Sequence, residues 1–174
     1  VLLKALGYDG EELLDYYYDQ ETIHLEDGEY KKEVDLELLR GQESSVEVTG
    51  TDGETIVPQG KKFTRMAARK LADAGMDRVP IAFTELIGRA VAHDIIDEET
   101  GEVLVECNQE LTEEIIKELV DHDVESFDVL YVDNVDAGPY LRDTLMADDI
   151  EEPMEAKLKI YQRLRPGDPP TEEE

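Results

Sequence analysis

The chain has 174 residues, and its 45 acidic and 17 basic side chains give a formal net charge of −28 at pH 7. A field of that sign repels phosphate backbones, which argues against direct nucleic-acid binding by most of the surface. No apolar run approaches the roughly 18 residues of a membrane span, no secretory signal opens the chain, and one cysteine excludes an internal disulfide, so we predict a reducing cytoplasmic setting.

The first segment predicts two helices and a hairpin. Residues 1–6 have the pattern of the last turns of a helix that stops at Gly7, and Asp9 can cap a second helix with Glu12 as its capping-box partner. The second helix is expected to bury one face, formed by Leu13, Leu14 and Tyr17. Two strand-like runs, at 22–25 and 30–34, follow on either side of Asp27-Gly28. Asp-Gly at such a place is a strong hairpin signal because a tight primed turn requires positive φ.

An internal repeat occupies the middle of the chain. The stretch that starts with GETIVPQGKKFT at Gly53 aligns without gaps, at an offset of 48 residues, with the stretch that starts with GEVLVECNQELT at Gly101. Identical or similar pairs include Val57 with Val105, Thr64 with Thr112, Phe63 with Leu111, Leu71 with Leu119, Val79 with Phe127 and Ile81 with Val129. A period of this length predicts a duplicated structural unit whose copies share a core.

Each copy predicts the same order of elements. A turn with glycine precedes a short apolar strand, a threonine caps a helix of about ten residues, and a second strand with alternating apolar residues follows. The residues before each unit, 45–48 and 89–96, predict one further strand per copy.

Two short helices are predicted after the repeats, beginning at Pro139 and Pro153, and both prolines suit a first helical turn. Met154, Leu158, Tyr161 and Leu164 form an amphipathic stripe that we expect to be core. The prediction for the whole chain is an α+β fold. A discontinuous helical and hairpin base, 1–37 plus 133–174, carries an inserted block at 38–132, with copies at about 38–84 and 85–132. This arrangement requires the residues near Leu6 and Arg163 to lie close together.

The sequence carries no pattern typical of a catalytic site. His24, His93 and His122 lie in different segments without metal-ligand spacing, and we interpret them as surface or hydrogen-bonded residues. Cys107 has no neighbouring base and is interpreted as structural or incidental. Asp133, Asn134 and Asp136 lie close together in the sequence, as oxygen ligands of calcium often do, but the twelve-residue calcium-loop pattern is absent. We predict no catalytic, cofactor-binding or metal-binding residue.

The charges leave alternatives open. The acids are scattered through every segment, which favours a solvated coat suited to a salty cytoplasm, while a DNA mimic that occupies a basic cleft is the other reading. A small basic group, Lys157, Lys159, Arg163 and Arg165, either balances charge at a helix C-terminus or contacts nucleic acid within a larger assembly.

Several stretches, in this order, resemble the beta subunit of bacterial DNA-directed RNA polymerase. They are VLLKALGYDGEELLDYYYDQETI, LLRGQ, GRAVAHDIIDEETGEVL, DAGPYLRDTL and IYQRLRPGDPPTEE. The resemblance implies a segment of the lobe of that subunit, interrupted by a lineage-specific insertion of repeated modules. The joint at 166–170 would then lead back into the remainder of the lobe, and both chain ends would lie inside a longer protein.

The resemblance also implies a role. The lobe forms one wall of the DNA cleft of this nucleotidyltransferase, and the insertion is a docking surface for transcription factors. The magnesium belongs to another subunit, so the segment has no cofactor of its own. The implied partners are the alpha, beta-prime, omega and sigma subunits, with DNA contacted only in the whole enzyme and no membrane. Arg163 and Arg165 match basic positions of the motif and would face the cleft. The strong acidity departs from the usual pattern and favours a salt-adapted host or a basic protein partner.

Overall fold

The computed structural model describes residues 1–26, 28–133 and 137–167. Across these ranges it has an α+β fold, as predicted, and it forms two compact units, Val1–Asp19 with Tyr131–Glu174 and Gln20–Leu130. None of the helices found there is long and apolar enough to cross a membrane. In chain order the elements are α1 (Leu2–Ala5), α2 (Gly10–Tyr17), β1 (Asp19–Glu26), β2 (Glu29–Glu33), α3 (Leu36–Leu39), β3 (Val48–Thr49), β4 (Thr55–Val57), α4 (Arg65–Asp73), β5 (Arg78–Ile81), a 3₁₀ helix (Phe83–Glu85), β6 (Ile95–Ile96), β7 (Val103–Val105), α5 (Glu113–Asp121), β8 (Ser126–Tyr131), α6 (Tyr140–Met146) and α7 (Pro153–Leu164).

The capping box predicted for α2 is present. The Asp9 carboxylate accepts from the Glu12 backbone N–H at 2.8 Å, and the Glu12 carboxylate accepts from the Asp9 backbone N–H at 3.1 Å. Leu13 and Leu14 are buried, but the prediction for Tyr17 is wrong, because that ring is 54% exposed and Tyr18 is buried instead. The Tyr18 hydroxyl donates to the Gly138 carbonyl at 2.8 Å and accepts from the Arg142 backbone N–H at 3.2 Å.

The two distant parts of the first unit meet through its helices. Helix α1 packs against α7, and α2 packs against α6. The N-terminal ammonium donates to the Asp148 carboxylate at 2.8 Å, and the buried Lys4 side chain donates to the Ile150 carbonyl. The start of the chain therefore lies next to α7 and the turn before it, while the proximity of Leu6 and Arg163 stays a prediction.

The second unit is built around the predicted hairpin. Strands β1 and β2 pair antiparallel with Glu26 opposite Glu29, and Gly28 has φ of +79°, while Asp27 lies outside the described residues. The four-stranded sheet has the order β5-β2-β1-β8. Each repeat thus contributes its last strand to one edge of the hairpin. The hairpin therefore lies in the second unit with the repeats, although it was predicted to belong to the base.

The predicted repeat has the same secondary structure in both copies. At the offset of 48, β4 corresponds to β7 and α4 to α5. Thr64 and Thr112 cap the two helices by accepting from the backbone N–H groups of Ala67 and Ile115, at 3.2 and 3.3 Å. Upstream the correspondence continues at an offset of 47, where α3 matches the 3₁₀ helix, because the turn after β6 holds one residue more than the turn after β3.

The buried apolar side chains form two clusters, one centred on each repeat, and the cluster of the second repeat also takes in Ile23 of the hairpin and Ile81 of the first repeat. The copies therefore meet in that cluster and do not share one core as predicted. The core of the first repeat comprises Leu39, Val48, Val57, Phe63, Ala67, Leu71 and Val79. The core of the second repeat includes Leu86, Ile95, Val105, Leu111, Ile116, Leu119 and Phe127. Some equivalent positions differ in size, since Ile116 of the second repeat stands where the first repeat has Ala68, and both are buried.

The extra strands predicted at 45–48 and 89–96 are much shorter than expected. The structure forms two-residue strands only, β3 and β6, and in both the register shifts by one residue. Such a bulge interrupts the ladder. Residues 89–94 make isolated bridges instead, with Ala90 opposite Glu110 and Val91 opposite Val129.

Candidate functional site

A buried polar cluster joins the hairpin to both repeats. The Glu21 carboxylate on β1 accepts from the Gln42 amide at 2.8 Å and from the Arg89 guanidinium at 2.7 Å. Gln42 and Arg89 are equivalent residues of the two copies, at the offset of 47. One carboxylate therefore binds the same position of both repeats.

Lys32 on β2 completes this cluster. Its ammonium donates to the Gln42 side-chain oxygen and to the Glu85 carboxylate, both at 2.7 Å, and lies 3.7 Å from the Glu21 carboxylate. The side chain of Lys32 is 2% exposed and that of Glu21 is 4% exposed. Lys32 and Glu21 thus compensate one another in the interior, as buried charges require, and the partly exposed Glu85 and Arg89 complete the charge balance.

The protonation state of Glu21 follows from these contacts. Burial by itself raises the pKa of this carboxyl, but the charges of Lys32 and Arg89 and the hydrogen bonds from Gln42 and Arg89 outweigh it and place the pKa below its ordinary value. The carboxylate is therefore charged at neutral pH. Glu21 on β1 is held by Lys32 of β2 and by one residue of each repeat, which gives the cluster a structural role in joining them.

An acidic cleft of about 650 Å³ lies within the second repeat. Its walls are β6 with the following turn, the C-terminal end of α5 and the start of β8. Eight carboxylates line it, namely Asp94, Asp97, Glu98, Glu99, Asp121, Asp123, Glu125 and Asp128. Across the part of the chain that the structure describes, no group of three or more His, Cys, Asp or Glu side chains is arranged to hold a metal ion.

Asp97 is the most strongly perturbed acid of this cleft. The imidazole of His122 is 2.8 Å from its carboxylate, and the backbone N–H groups of Glu99 and Thr100 donate to it at 2.7 and 3.1 Å. These hydrogen bonds, that of His122 first, lower the pKa of Asp97 from 3.8 to about 2. Asp97 therefore remains ionised in mildly acidic solution and holds the turn after β6.

We expect Asp97 to contribute to acid unfolding in a defined pH window. Because its folded-state pKa is lowered, its contribution to stability is complete above the ordinary value of 3.8 and is lost as pH falls towards about 2. Asp97→Asn should therefore lose less stability than the unmodified chain across that window. Urea unfolding at several pH values measures the difference, and Asp52→Asn, in the corresponding turn of the first repeat, is the matched control. If the free energy of unfolding depended on pH in the same way for Asp97→Asn and the unmodified chain, this role of Asp97 in acid unfolding would be contradicted.

The other histidines and the cysteine are hydrogen-bonded within the second unit, as interpreted from the sequence. His24 lies 2.9 Å from the Glu33 carboxylate, and His93 lies 3.0 Å from the Gln20 side-chain oxygen. The Cys107 thiol donates to the Ala92 carbonyl at 3.0 Å. Of the loose oxygen cluster, Asn134 and Asp136 lie outside the described residues.

Arg163 and Arg165 lie at the exposed end of α7 in the first unit. The Arg165 guanidinium is 5.5 Å from the centre of the Tyr161 ring, in cation–π geometry, and Arg163 is exposed in the last turn. The stripe predicted to be core is not buried by the described residues: Met154 is 65% and Leu164 76% exposed. Residues 168–170 of the predicted joint lie outside the described part.

Sequence reasoning missed the Glu21–Lys32 cluster. Lys32 lies directly opposite Ile23, which is fully buried. Because side chains alternate between the two faces of a strand, Lys32 lies on the core side of β2. This alternation could have identified Lys32 as a buried residue from the sequence. The partners Gln42 and Glu85 could not be assigned without the fold.

Comparison with known proteins gives close similarity along almost the whole chain. No family model matches it. Proteins named DNA-directed RNA polymerase subunit beta are similar to it: that of Syntrophotalea carbinolica is 49% identical over 98% of the chain, that of Sorangium cellulosum 46% over 98%, and that of Myxococcus xanthus 48% over 94%. The chain spans about 12% of the length of these relatives.

Proposed function

We propose that this chain, a homologue of one segment of the DNA-directed RNA polymerase beta subunit, serves as a non-catalytic lobe and insertion module in DNA-templated transcription. The observation that carries the proposal is 46–49% identity maintained along 94–98% of the chain. A free-standing acidic protein would have no reason to maintain this similarity to one segment of a much longer subunit.

The first unit has the exposed apolar surface expected of a lobe base. Its helices leave many large apolar side chains exposed, and we propose that the remainder of the subunit covers them. The exposed set includes Leu2, Leu6, Tyr8, Tyr16, Tyr17, Tyr140, Met146, Met154 and Leu164. The division into a base at 1–37 plus 133–174 and an inserted block at 38–132 remains part of this proposal. Contact between α1 and α7 supports it, because an insertion must leave and re-enter its host at neighbouring points.

In this proposal, other parts of the enzyme catalyse RNA extension. The segment shapes one wall of the DNA cleft and offers a docking surface, while another subunit holds the magnesium of the whole enzyme. The alpha, beta-prime, omega and sigma subunits are the proposed partners, in the cytoplasm, and transcription factors are proposed to dock on the insertion. DNA is contacted only in the assembled enzyme, where Arg163 and Arg165 supply positive charge that most of this surface lacks.

A chimeric subunit tests the assignment. We replace the homologous segment of the Myxococcus xanthus beta subunit, which is 48% identical, with this chain and purify the enzyme through another subunit. The chimera should co-purify in the same proportion as the parent subunit. A chimera that folds but is absent from the assembled enzyme would contradict the proposed function.

We expect the two arginines to affect DNA retention in that chimera. Arg163→Gln with Arg165→Gln should weaken retention on DNA, on the order of tenfold at moderate salt, and should make it less steeply dependent on salt, because the loss of two phosphate contacts reduces the number of counterions released. Lys157→Gln with Lys159→Gln, on the same helix, is the matched control. Equal salt sensitivity of both double variants would remove the role proposed for Arg163 and Arg165 while leaving the assembly result intact.

A further inference from the structure

The second repeat carries an exposed apolar pair that the first repeat lacks. Ile96 and Val103 are direct cross-strand partners on β6 and β7, and they are 50% and 45% exposed. The equivalent cross-strand pair of the first repeat is Thr49 with Thr55, which is also exposed. Both hairpins have the same bulged register, so backbone geometry does not require apolar side chains at this place.

The apolar pair adjoins the acidic cleft. Ile96 is one of the residues that line the cleft, together with the eight carboxylates, and neither lysine nor arginine is among them. The first repeat carries fewer acids at the equivalent positions and adds a base: Glu47, Asp52, Asp73, Asp77 and Arg78. At this place the second repeat thus has more carboxylates and more exposed apolar surface than the first repeat.

We propose that this face of the second repeat, formed by Ile96, Val103 and the acidic cleft, is a docking site for a basic polypeptide segment that carries apolar side chains. Charge complementarity selects the occupant, because eight carboxylates attract lysine and arginine and repel nucleic acid. Arginine suits such a lining, since its guanidinium binds carboxylates in a bidentate manner. The exposed pair supplies the apolar contact that gives an interface its desolvated centre.

The inference rests on the proposed function, to which it adds the chemistry of the partner and the repeat that binds it. Because the partner is unidentified, the probe is a labelled synthetic peptide of repeating Lys-Lys-Leu, and a Lys-Lys-Ser peptide of the same length measures attraction by charge alone. The leucine peptide should bind the 174-residue chain more tightly. It should also shift the amide NMR signals of 95–99, 103 and 121–126.

The decisive variant gives the second repeat the residues of the first. Ile96→Thr with Val103→Thr should weaken binding of the leucine peptide on the order of tenfold, since part of two apolar side chains is no longer buried. Thr49→Ser with Thr55→Ser is the matched control and should leave binding unchanged. Urea unfolding checks that both variants are folded, and the signal shifts in the unmodified chain test the site without any substitution.

Three results would overturn the docking site. They are equal affinity for both peptides, unchanged affinity in the Ile96→Thr, Val103→Thr variant, and shifts scattered over both units. Shifts at the cleft with Ca²⁺ alone and none with peptide would identify a cation site instead and also overturn it. Failure of peptide binding with normal assembly of the chimera removes this inference only. Failure of assembly with normal peptide binding removes the proposed function.

Discussion

Replacing Lys32 with methionine is expected to lower the free energy of unfolding by about 3 kcal/mol, the lower end for a broken buried ion pair, because Glu85 loses its cation while Glu21 keeps Arg89. Lys32 is 1% exposed, and its ammonium contacts Gln42 and Glu85 at 2.7 Å. Methionine keeps the apolar stem, so the loss reports the charge rather than a cavity. Urea denaturation followed by circular dichroism measures it.

The neighbouring residue provides the control for this substitution. Lys31 lies on the same strand with its side chain 29% exposed and its ammonium 3.1 Å from the Glu26 carboxylate. Lys31→Met should change the free energy of unfolding by less than about 1 kcal/mol, as exposed ion pairs contribute little. Similar losses for Lys31→Met and Lys32→Met would mean that the buried cluster does not hold the hairpin and the repeats together.

The second large effect is expected in the two cores. Leu71 and Leu119 are equivalent residues of α4 and α5, and both are fully buried. Leu71→Ala and Leu119→Ala should each cost about 2–5 kcal/mol, through lost burial and the cavity left behind. The two losses should be similar in size, because the two leucines occupy equivalent and equally buried positions in two separate apolar clusters.

Val120→Ala is the control for these substitutions, since Val120 follows Leu119 on the same helix but is 47% exposed. Its effect should be much smaller than that of Leu119→Ala in the same urea titration. A large loss at Leu119 with a negligible loss at Leu71 would show that only the second copy contains a stabilising core. The two repeats would then have the same fold, but the core of the first repeat would not contribute to the free energy of unfolding.

Features set by local chemistry could be predicted from the sequence. The hairpin follows from Asp-Gly between two strand patterns, and the α4 and α5 caps follow from Thr64 and Thr112, which both accept from a backbone N–H three residues on. The repeat could be found because apolar residues recur at one offset. The upstream part of each copy was predicted, but its residue-by-residue alignment was missed, since one additional residue in the second turn changes the offset there to 47.

Features set by distant parts of the chain could not be predicted. Glu21 is bound by Gln42 and Arg89, 21 and 68 residues away, so the polar cluster exists only once both repeats are placed on the hairpin. The stripe on α7 has the periodicity of a core helix, yet Leu164 and Met154 are exposed in this chain. Periodicity identifies the apolar face of a helix and not the surface that covers it.

RNA extension by the chimeric enzyme and by the isolated chain, in one assay with template, primer, nucleotides and magnesium, tests the central claim most directly. The account predicts extension by the chimera at a rate comparable to that of the parent enzyme, and none by the 174-residue chain alone. An assembled chimera that cannot extend RNA, or turnover by the isolated chain that a substitution within it abolishes, would contradict a non-catalytic polymerase module.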